Sequence, residues 1–304
     1  TSVMLAGRVT YGGLLASLVI NKLSDVRLYF YDLNGKIMHV FNDNNRLFVS
    51  GYYGNDIFGM NNLMRLSYGN RAVTMRWNHI FGDRLTSNLS FIYSKYRYTL
   101  GVEMDPFDFT VAAGIKDYIG KYDFTMLWND KITSHFGISA TMHHFSQGEL
   151  DDRNGAIAMY LETDATERII RKALEYALFF SQEHKITPLF SVRYGLRCSM
   201  FQNIGKEEFF LFDENHKSYG SIIYPKGKIF HTEAHLEPRL GMMYMINEFS
   251  SVKASYSRTV QYAQLASNAT AGLPFDVWFP TSPNVKPQKC DQFTLGYFRN
   301  FRHN

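Results

Sequence analysis

Cysteine is nearly absent: Cys198 and Cys290 are the only two in 304 residues. That excludes a disulfide framework, and their separation offers no metal-ligand spacing. Proline is scarce at 8 residues, so no proline-rich linker divides the chain. No apolar run approaches the ~18 residues of a membrane-spanning helix; the best, Leu14 to Ile20, is far shorter. The net charge of +4 is too small and too evenly spread to argue for nucleic acid. A nucleophile elbow, a phosphate-cradling loop and paired catalytic carboxylates are all missing, so the chain is not read as an enzyme and no cofactor is expected. It opens at Thr1 without a basic n-region or an apolar h-region, so a signal peptide is absent or already removed.

What the chain has in excess is aromatic: 20 Tyr, 25 Phe and 3 Trp, or 16%. These residues alternate with polar ones. Val252, Ala254, Tyr256, Val260 and Tyr262 share one parity, and Ser251, Lys253, Ser255, Ser257, Thr259 and Gln261 share the other. Successive strand side chains point to opposite faces, so this segment has one apolar face and one wet face. The same reading makes strands of Ser2 to Arg8, of Val26 to Phe41, and of runs carrying Leu47 to Ile57, Val73 to Phe81 and Leu85 to Tyr93. It continues through Asp108 to Trp128, Ile132 to Met142, Leu174 to Phe180, Phe190 to Met200, Leu236 to Ile246 and Phe293 to Phe301, about twelve strands in all. Glu167 to Ser181 also carries apolar residues at helical spacing; strand is preferred because its neighbours require one.

Connections alternate between short and long. Short ones centre near Asp43, Asp83, Asp130, His184 and Glu248; long ones include Tyr11 to Asp25, Gly59 to Asn70, Gln147 to Glu167 and Asn203 to Gly227. A soluble sandwich has no reason to segregate loop length by end, whereas an up-and-down membrane barrel does. The expected fold is therefore all-β, an antiparallel up-and-down transmembrane β-barrel. The chain begins and ends inside strand-like sequence, which makes residues 1–304 one partial barrel domain. Such a chain should aggregate without detergent, since its apolar parity would face water.

The segments Glu237-Pro238-Arg239-Leu240-Gly241 and SVKASYSRTVQYAQLASNATAGLPFDVWFPTSPNVKPQKCDQFTLGYF closely resemble the barrel of TonB-dependent outer-membrane receptors. Kin with a carboxypeptidase-regulatory-like N-terminal extension are the nearest in kind, and FYDLNGKIMHVFNDNNRLFVSGYYGNDIFG and RWNHIFGDRLTSNLSFIYSKY carry the likeness upstream. The resemblance implies a barrel of 22 strands around an N-terminal plug, of which about 12 strands and no plug are represented here. It implies residence in the outer membrane of a Gram-negative cell, in contact with its lipid. It also implies active import of a siderophore, cobalamin, an oligosaccharide or a peptide, powered by the TonB–ExbB–ExbD complex. A diffusion porin, a starch-utilisation-type glycan importer working with a surface lipoprotein, and a surface adhesin or scaffold are the alternatives.

Candidate sites are few. Phe275-Asp276-Val277-Trp278-Phe279 lies in a long outer loop, where Phe275, Asp276, Trp278 and Phe279 would touch a ligand or pack the loop onto the rim. Arg193 and Arg197 face the lumen and would attract an anionic ligand or form solvated wall. His231, Glu233, His235 and Glu237 share a parity, but alternate strand residues lie ~6.6 Å apart, so they read as a hydrated lumen stripe. His143 and His144 point to opposite faces and cannot chelate one ion together. Asp151-Asp152-Arg153-Asn154-Gly155 lacks EF-hand spacing and reads as a loop tip. No metal is expected. Tyr29, Tyr31, Tyr93, Tyr96, Tyr98 and Trp128, near strand ends, read as an interfacial girdle.

Overall fold

A computed structural model of the chain describes residues 1–10, 26–60, 63–155, 159, 169–266 and 277–301. The connection expected over Tyr11 to Asp25 lies outside them, as do Phe275 and Asp276. The strands are β1 (Ser2–Val9), β2 (Val26–Asn42), β3 (Asn45–Met60), β4 (Met64–Ile80), β5 (Leu85–Met104), β6 (Phe107–Asn129), β7 (Ile132–Asp152) and β8 (Ile170–Lys185). They continue as β9 (Phe190–Ile204), β10 (Glu207–Phe212), β11 (Ser218–Tyr224), β12 (Ile229–Asn247), β13 (Ser250–Gln261), β14 (Ala263–Ala266), β15 (Val277–Pro280) and β16 (Gln288–Arg299). Twelve of them form one antiparallel sheet in the order β1-β2-β3-β4-β5-β6-β7-β8-β9-β12-β13-β16. The pairs β10–β11 and β14–β15 are separate hairpins. Among the described residues, β1 and β16 each pair on one side only.

The short turns are written in side-chain chemistry. Asn42 Oδ1 accepts from the Asn44 amide at 3.0 Å and from Asn45 Nδ2 at 2.9 Å. Asn129 Oδ1 accepts from the Lys131 and Ile132 amides at 2.9 and 3.0 Å, and Asn247 Oδ1 from the Phe249 amide at 2.9 Å. Asn and Asp mimic a backbone turn in this way, which stops a strand without leaving a donor orphaned. The turn expected near His184 is displaced: β8 runs through Lys185, and the chain reverses over Ile186 to Leu189. There Thr187 Oγ1 takes the Phe190 amide at 3.0 Å, and Pro188 has no amide to donate to a ladder.

At the other end the strands outrun the alternation seen in the sequence. Gly59 to Asn70 is not a connection: β3 runs to Met60 and β4 starts at Met64. Gly and Asn in that stretch look like turn residues, but β5 supplies the ladder partners, Asn70 facing Tyr96 and Leu66 facing Leu100. Gly69 fits because a Cβ there would lie 2.6 Å from the Gly54 carbonyl oxygen. Likewise the connection expected at Gln147 begins only after Asp152, and the one expected over Asn203 to Gly227 contains the β10–β11 hairpin. The ambiguous stretch before Ser181 is strand, paired from Ile170 with Ser146 of β7.

Register decides the two faces. Leu89, Tyr122, Ile138, Leu178, Cys198 and Leu236 form one unbroken row across six strands. Ile138 is 56% exposed, and Leu178 and Leu236 are each 59% exposed. Water does not tolerate such a surface at this extent, but hydrocarbon does. Trp77, Phe81 and Trp128 border it near the short turns, with the Trp128 indole donating to Ser134 Oγ at 3.0 Å. Tyr29, Tyr31 and Tyr93 hold the same parity toward the opposite ends. Tyr96 and Tyr98 do not belong with them: they sit on the other parity of β5, and Tyr98 is 3% exposed.

Ile138 lies six residues into β7, near the middle of the ~9–11 residues a strand needs to cross a bilayer. Ile138→Arg is expected to cost ~2–4 kcal/mol of folding in a bilayer, read as a reduced fraction of heat-modifiable barrel. Ser139→Arg, on the opposite face, should cost far less; equal losses would contradict this assignment of faces.

Candidate functional site

The opposite face of the sheet is polar and holds the site. Arg197 on β9 lies between two carboxylates on the flanking strands: its Nη2 is 3.3 Å from Glu175 Oε1 of β8, and its Nε is 3.4 Å from Glu237 Oε1 of β12. Strand pairing dictates the contact with Glu237, the direct partner of Arg197; on β8 the direct partner is Phe179, and Glu175 lies four residues along that strand, within reach of the long Arg197 side chain. The Glu237 side chain is 5% exposed. The expected hydrated stripe is therefore dry at this point. A buried carboxylate needs such a partner, since unpaired ionic burial is costly. Arg239 adds a longer contact to Glu237 at 4.0 Å.

From Glu175 the network continues to β7 and β6. His143 Nε2 is 3.6 Å from Glu175 Oε2, and its Nδ1 is 2.8 Å from Asp117 Oδ1. His143 and His144 do diverge: His143 turns into this network, while His144 packs edge-on against Tyr118 on the apolar side. Arg193 shares the face of Arg197 but lies two same-face positions nearer the short turns, opposite Glu183 in the ladder, and is exposed. Among the described residues it forms no ion pair within 4.0 Å.

An aromatic cluster closes the network toward the loop end. Phe145, Ala173, Phe201 and Tyr262 are packed together and buried, with Trp278 against them. Tyr262 stacks on Phe201 at 5.0 Å between ring centres and 8° between planes. Its hydroxyl lies 2.8 Å from Ser199 Oγ and 3.2 Å from His235 Nδ1. The alternating pattern put Tyr262 on the apolar parity of β13; in fact β13 ends at Gln261 and Tyr262 turns inward, 2% exposed. Its phenol finds partners only there.

That inward turn carries the β14–β15 hairpin across the polar face, from β13 over to β6, β7 and β8. Gln147 Nε2 donates to the Trp278 carbonyl at 3.1 Å, Asn203 Nδ2 to the Thr281 carbonyl at 2.9 Å, and the Thr281 amide to the Tyr262 carbonyl at 2.7 Å. Phe279 faces Gln264 within the hairpin, and Trp278 faces Leu265. Asn284 Nδ2 reaches the Phe210 carbonyl of β10 at 3.0 Å, linking the two hairpins. The β10–β11 hairpin is anchored in turn by Arg171 and Glu207, 2.8 Å apart; burial pushes the Glu207 carboxyl above its ordinary pKa, and Arg171 only partly opposes this.

Of the residues singled out from the sequence, Arg197 lies in the ion network and Trp278 packs against the aromatic cluster, and the parity of the Glu237 stripe holds. Sequence reasoning missed Asp117, His143, Glu175 and Tyr262 as members of one constellation. Their common parity was visible; their register across four strands was not. The loop segment Asp151 to Gly155 holds an ion pair, Arg153 with Asp108 at 3.1 Å. Among the described residues no three His, Cys, Asp or Glu side chains gather as a metal site.

One exposed apolar face, one polar face and a hairpin folded across the latter are the features of a wall of a β-barrel. The profile of the family described as TonB dependent receptor-like, beta-barrel, matches residues 18–303. The chain belongs to the TonB-dependent receptor β-barrel family. This receptor chain has the fold of the copper transporter OprC, with a TM-score of 0.64, 10% identity, and 91% of this chain aligned to 44% of that one. It is similar to the siderophore receptor PiuA from Acinetobacter baumannii, with a TM-score of 0.61, 12% identity, and 91% aligned to 48%. It also matches the ferric-catecholate import receptor Fiu from E. coli, with a TM-score of 0.58, 13% identity, and 90% aligned to 49%. The receptor chain thus spans about half the length of these solved structures. No curated protein sequence matches it.

Proposed function

We propose that this chain is the ligand-facing wall of an outer-membrane importer that takes up a scarce nutrient with energy supplied through TonB. The observation that carries the reading is the division of one twelve-stranded sheet into an exposed apolar face and a polar face spanned by an inward-folded hairpin. Family membership supports the transport class, and by their names OprC is a copper transporter, PiuA a siderophore receptor and Fiu a ferric-catecholate import receptor. The TonB–ExbB–ExbD complex would act through a plug, and a surface lipoprotein would assist if the cargo is a glycan.

Within this reading Trp278 and Phe279 of β15, with the preceding residues Phe275 and Asp276, meet the ligand from the loop side. Arg193, exposed on the polar face, is the cation available to an anionic cargo. Arg197 is already neutralised by Glu175 and Glu237 and sets the shape of the wall.

Uptake tests the proposal. The full receptor containing this chain, expressed in cells with and without TonB, is supplied with iron chelates, cobalamin, oligosaccharides or peptides as sole source of the nutrient. Growth on one class is expected, and only with TonB. Uptake without TonB would make it a porin; surface attachment without uptake would make it an adhesin or scaffold.

A further inference from the structure

One point on the polar wall holds donor atoms whose chemistry is left unmet. His231 of β12 and Asn203 of β9 are direct ladder partners, and His231 stands sixteen residues from the β12 end at Asn247. A strand crosses hydrocarbon in ~9–11 residues, so this pair lies beyond the membrane, on the loop side. The chain returning from the β14–β15 hairpin passes here, because Asn203 Nδ2 donates to the Thr281 carbonyl at 2.9 Å.

Three buried polar atoms at this crossing have no hydrogen-bond partner among the described residues: Asn203 Oδ1, Thr281 Oγ1 and His231 Nε2. Asn203 is 2% exposed and Thr281 0%. Turning the Asn203 amide would not help, since its Nδ2 is already committed to Thr281. All three atoms can offer a lone pair, and a buried acceptor left without a donor keeps its full desolvation cost.

Charge points the same way. Glu175 and Glu237 share Arg197. Glu233, two residues from His231 on the same face of β12, has only histidines within 4.0 Å among the described residues: His231 Nε2 at 3.4 Å and His235 Nε2 at 3.7 Å. The nearer contact is not aligned as a hydrogen bond. Two donors on one tetrahedral zinc, each at ~2.0–2.1 Å, stand ~3.4 Å apart. The separation of His231 Nε2 from Glu233 Oε1 is therefore that of two ligands on one ion. His235 holds the other oxygen of Glu233, the kind of outer contact that orients a ligating carboxylate.

We propose that His231, Glu233, Asn203 and Thr281 bind a divalent transition-metal ion of the zinc type. One imidazole nitrogen with a carboxylate and two neutral oxygens suits such an ion, whereas calcium takes six to eight oxygens. Only two of the four donors are His or Glu, so no trio of His, Cys, Asp or Glu is needed. The ion would join β12 and β9 to the segment leaving β15, and so tie the return of the hairpin to the wall. The site is independent of what the barrel imports.

The test uses the full receptor without a histidine tag, purified in detergent and stripped by a chelator. Calorimetric titration with zinc chloride should show a strong site that His231→Ala and Glu233→Gln each weaken by about tenfold or more, both variants staying heat-modifiable like the parent. X-ray absorption at the zinc edge of the loaded parent should show one imidazole and otherwise oxygen, and this spectrum decides even where a variant fails to fold. With zinc at about ten times its Kd, the opened hairpin should be about tenfold rarer. Chymotrypsin should then cut the parent at Leu265 or Trp278 correspondingly more slowly, and Glu233→Gln at an unchanged rate. Absence of a strong zinc site, equal affinity in both variants, or a sulfur shell at the zinc edge overturns the proposal and leaves the orphaned atoms to water. Calcium chloride binding as tightly as zinc would overturn the transition-metal assignment. None of these outcomes bears on import.

Discussion

Arg197→Met destabilises the barrel by about 3 kcal/mol, the lower end for removing one partner of a buried ion pair. The reason is Glu237, whose side chain is 5% exposed and whose Oε1 lies 3.4 Å from Arg197 Nε. Methionine keeps much of the volume and the unbranched stem but leaves that carboxylate without its near cation. Arg239, at 4.0 Å, is exposed and too distant to substitute. Glu175 loses the same partner, yet it is 26% exposed and retains His143 at 3.6 Å, so most of the cost falls on Glu237. The double variant Arg197→Met, Glu237→Gln should recover more than half of the loss. Thermal unfolding in detergent, followed by circular dichroism or heat-modifiable migration, reads both. An unchanged midpoint for the single variant would mean that water reaches Glu237 and that the network is solvated wall.

The second large effect is local. Tyr262→Ala removes the ring stacked on Phe201 and opens a cavity at the point where the chain leaves β13. Large aromatic truncations in packed surroundings cost ~3–5 kcal/mol, and here the loss falls on the hairpin rather than on the sheet. Among the described residues the other anchors are single hydrogen bonds: Gln147 to the Trp278 carbonyl, Asn203 to the Thr281 carbonyl, the Thr281 amide to the Tyr262 carbonyl and Asn284 to the Phe210 carbonyl. Chymotrypsin should therefore cut Tyr262→Ala rapidly at Leu265 or Trp278 while the twelve-stranded sheet stays heat-modifiable. Tyr262→Phe keeps the stack and gives up only the contacts to Ser199 and His235, about 1 kcal/mol, and should stay resistant. Cleavage of Tyr262→Ala at the parent rate would show that the hairpin is held by something other than this residue.

Much of the site was within reach of the amino-acid pattern. The parity of Arg197, Glu237 and His235 follows from alternation alone, as does the divergence of His143 and His144. Strand ends were harder. Gly69 and Asn70 look like loop and lie in a ladder, because a long antiparallel partner supplies the backbone bonds that local propensity would forgo. Tyr98 looks like a girdle residue and is buried, because one step of parity separates the membrane from the interior.

The sequence by itself determined the strand class, the apolar and polar parities and the chemistry of the short turns, since each depends on neighbours within a few positions. The Asn42, Asn129 and Asn247 caps need no distant residue to form. Only the tertiary structure decided which residues of equal parity meet. The Asp117–His143–Glu175–Arg197–Glu237 chain and the inward path of Tyr262 both depend on register between strands far apart in sequence. Register is set by the sum of pairings along each ladder, and no local pattern encodes that sum.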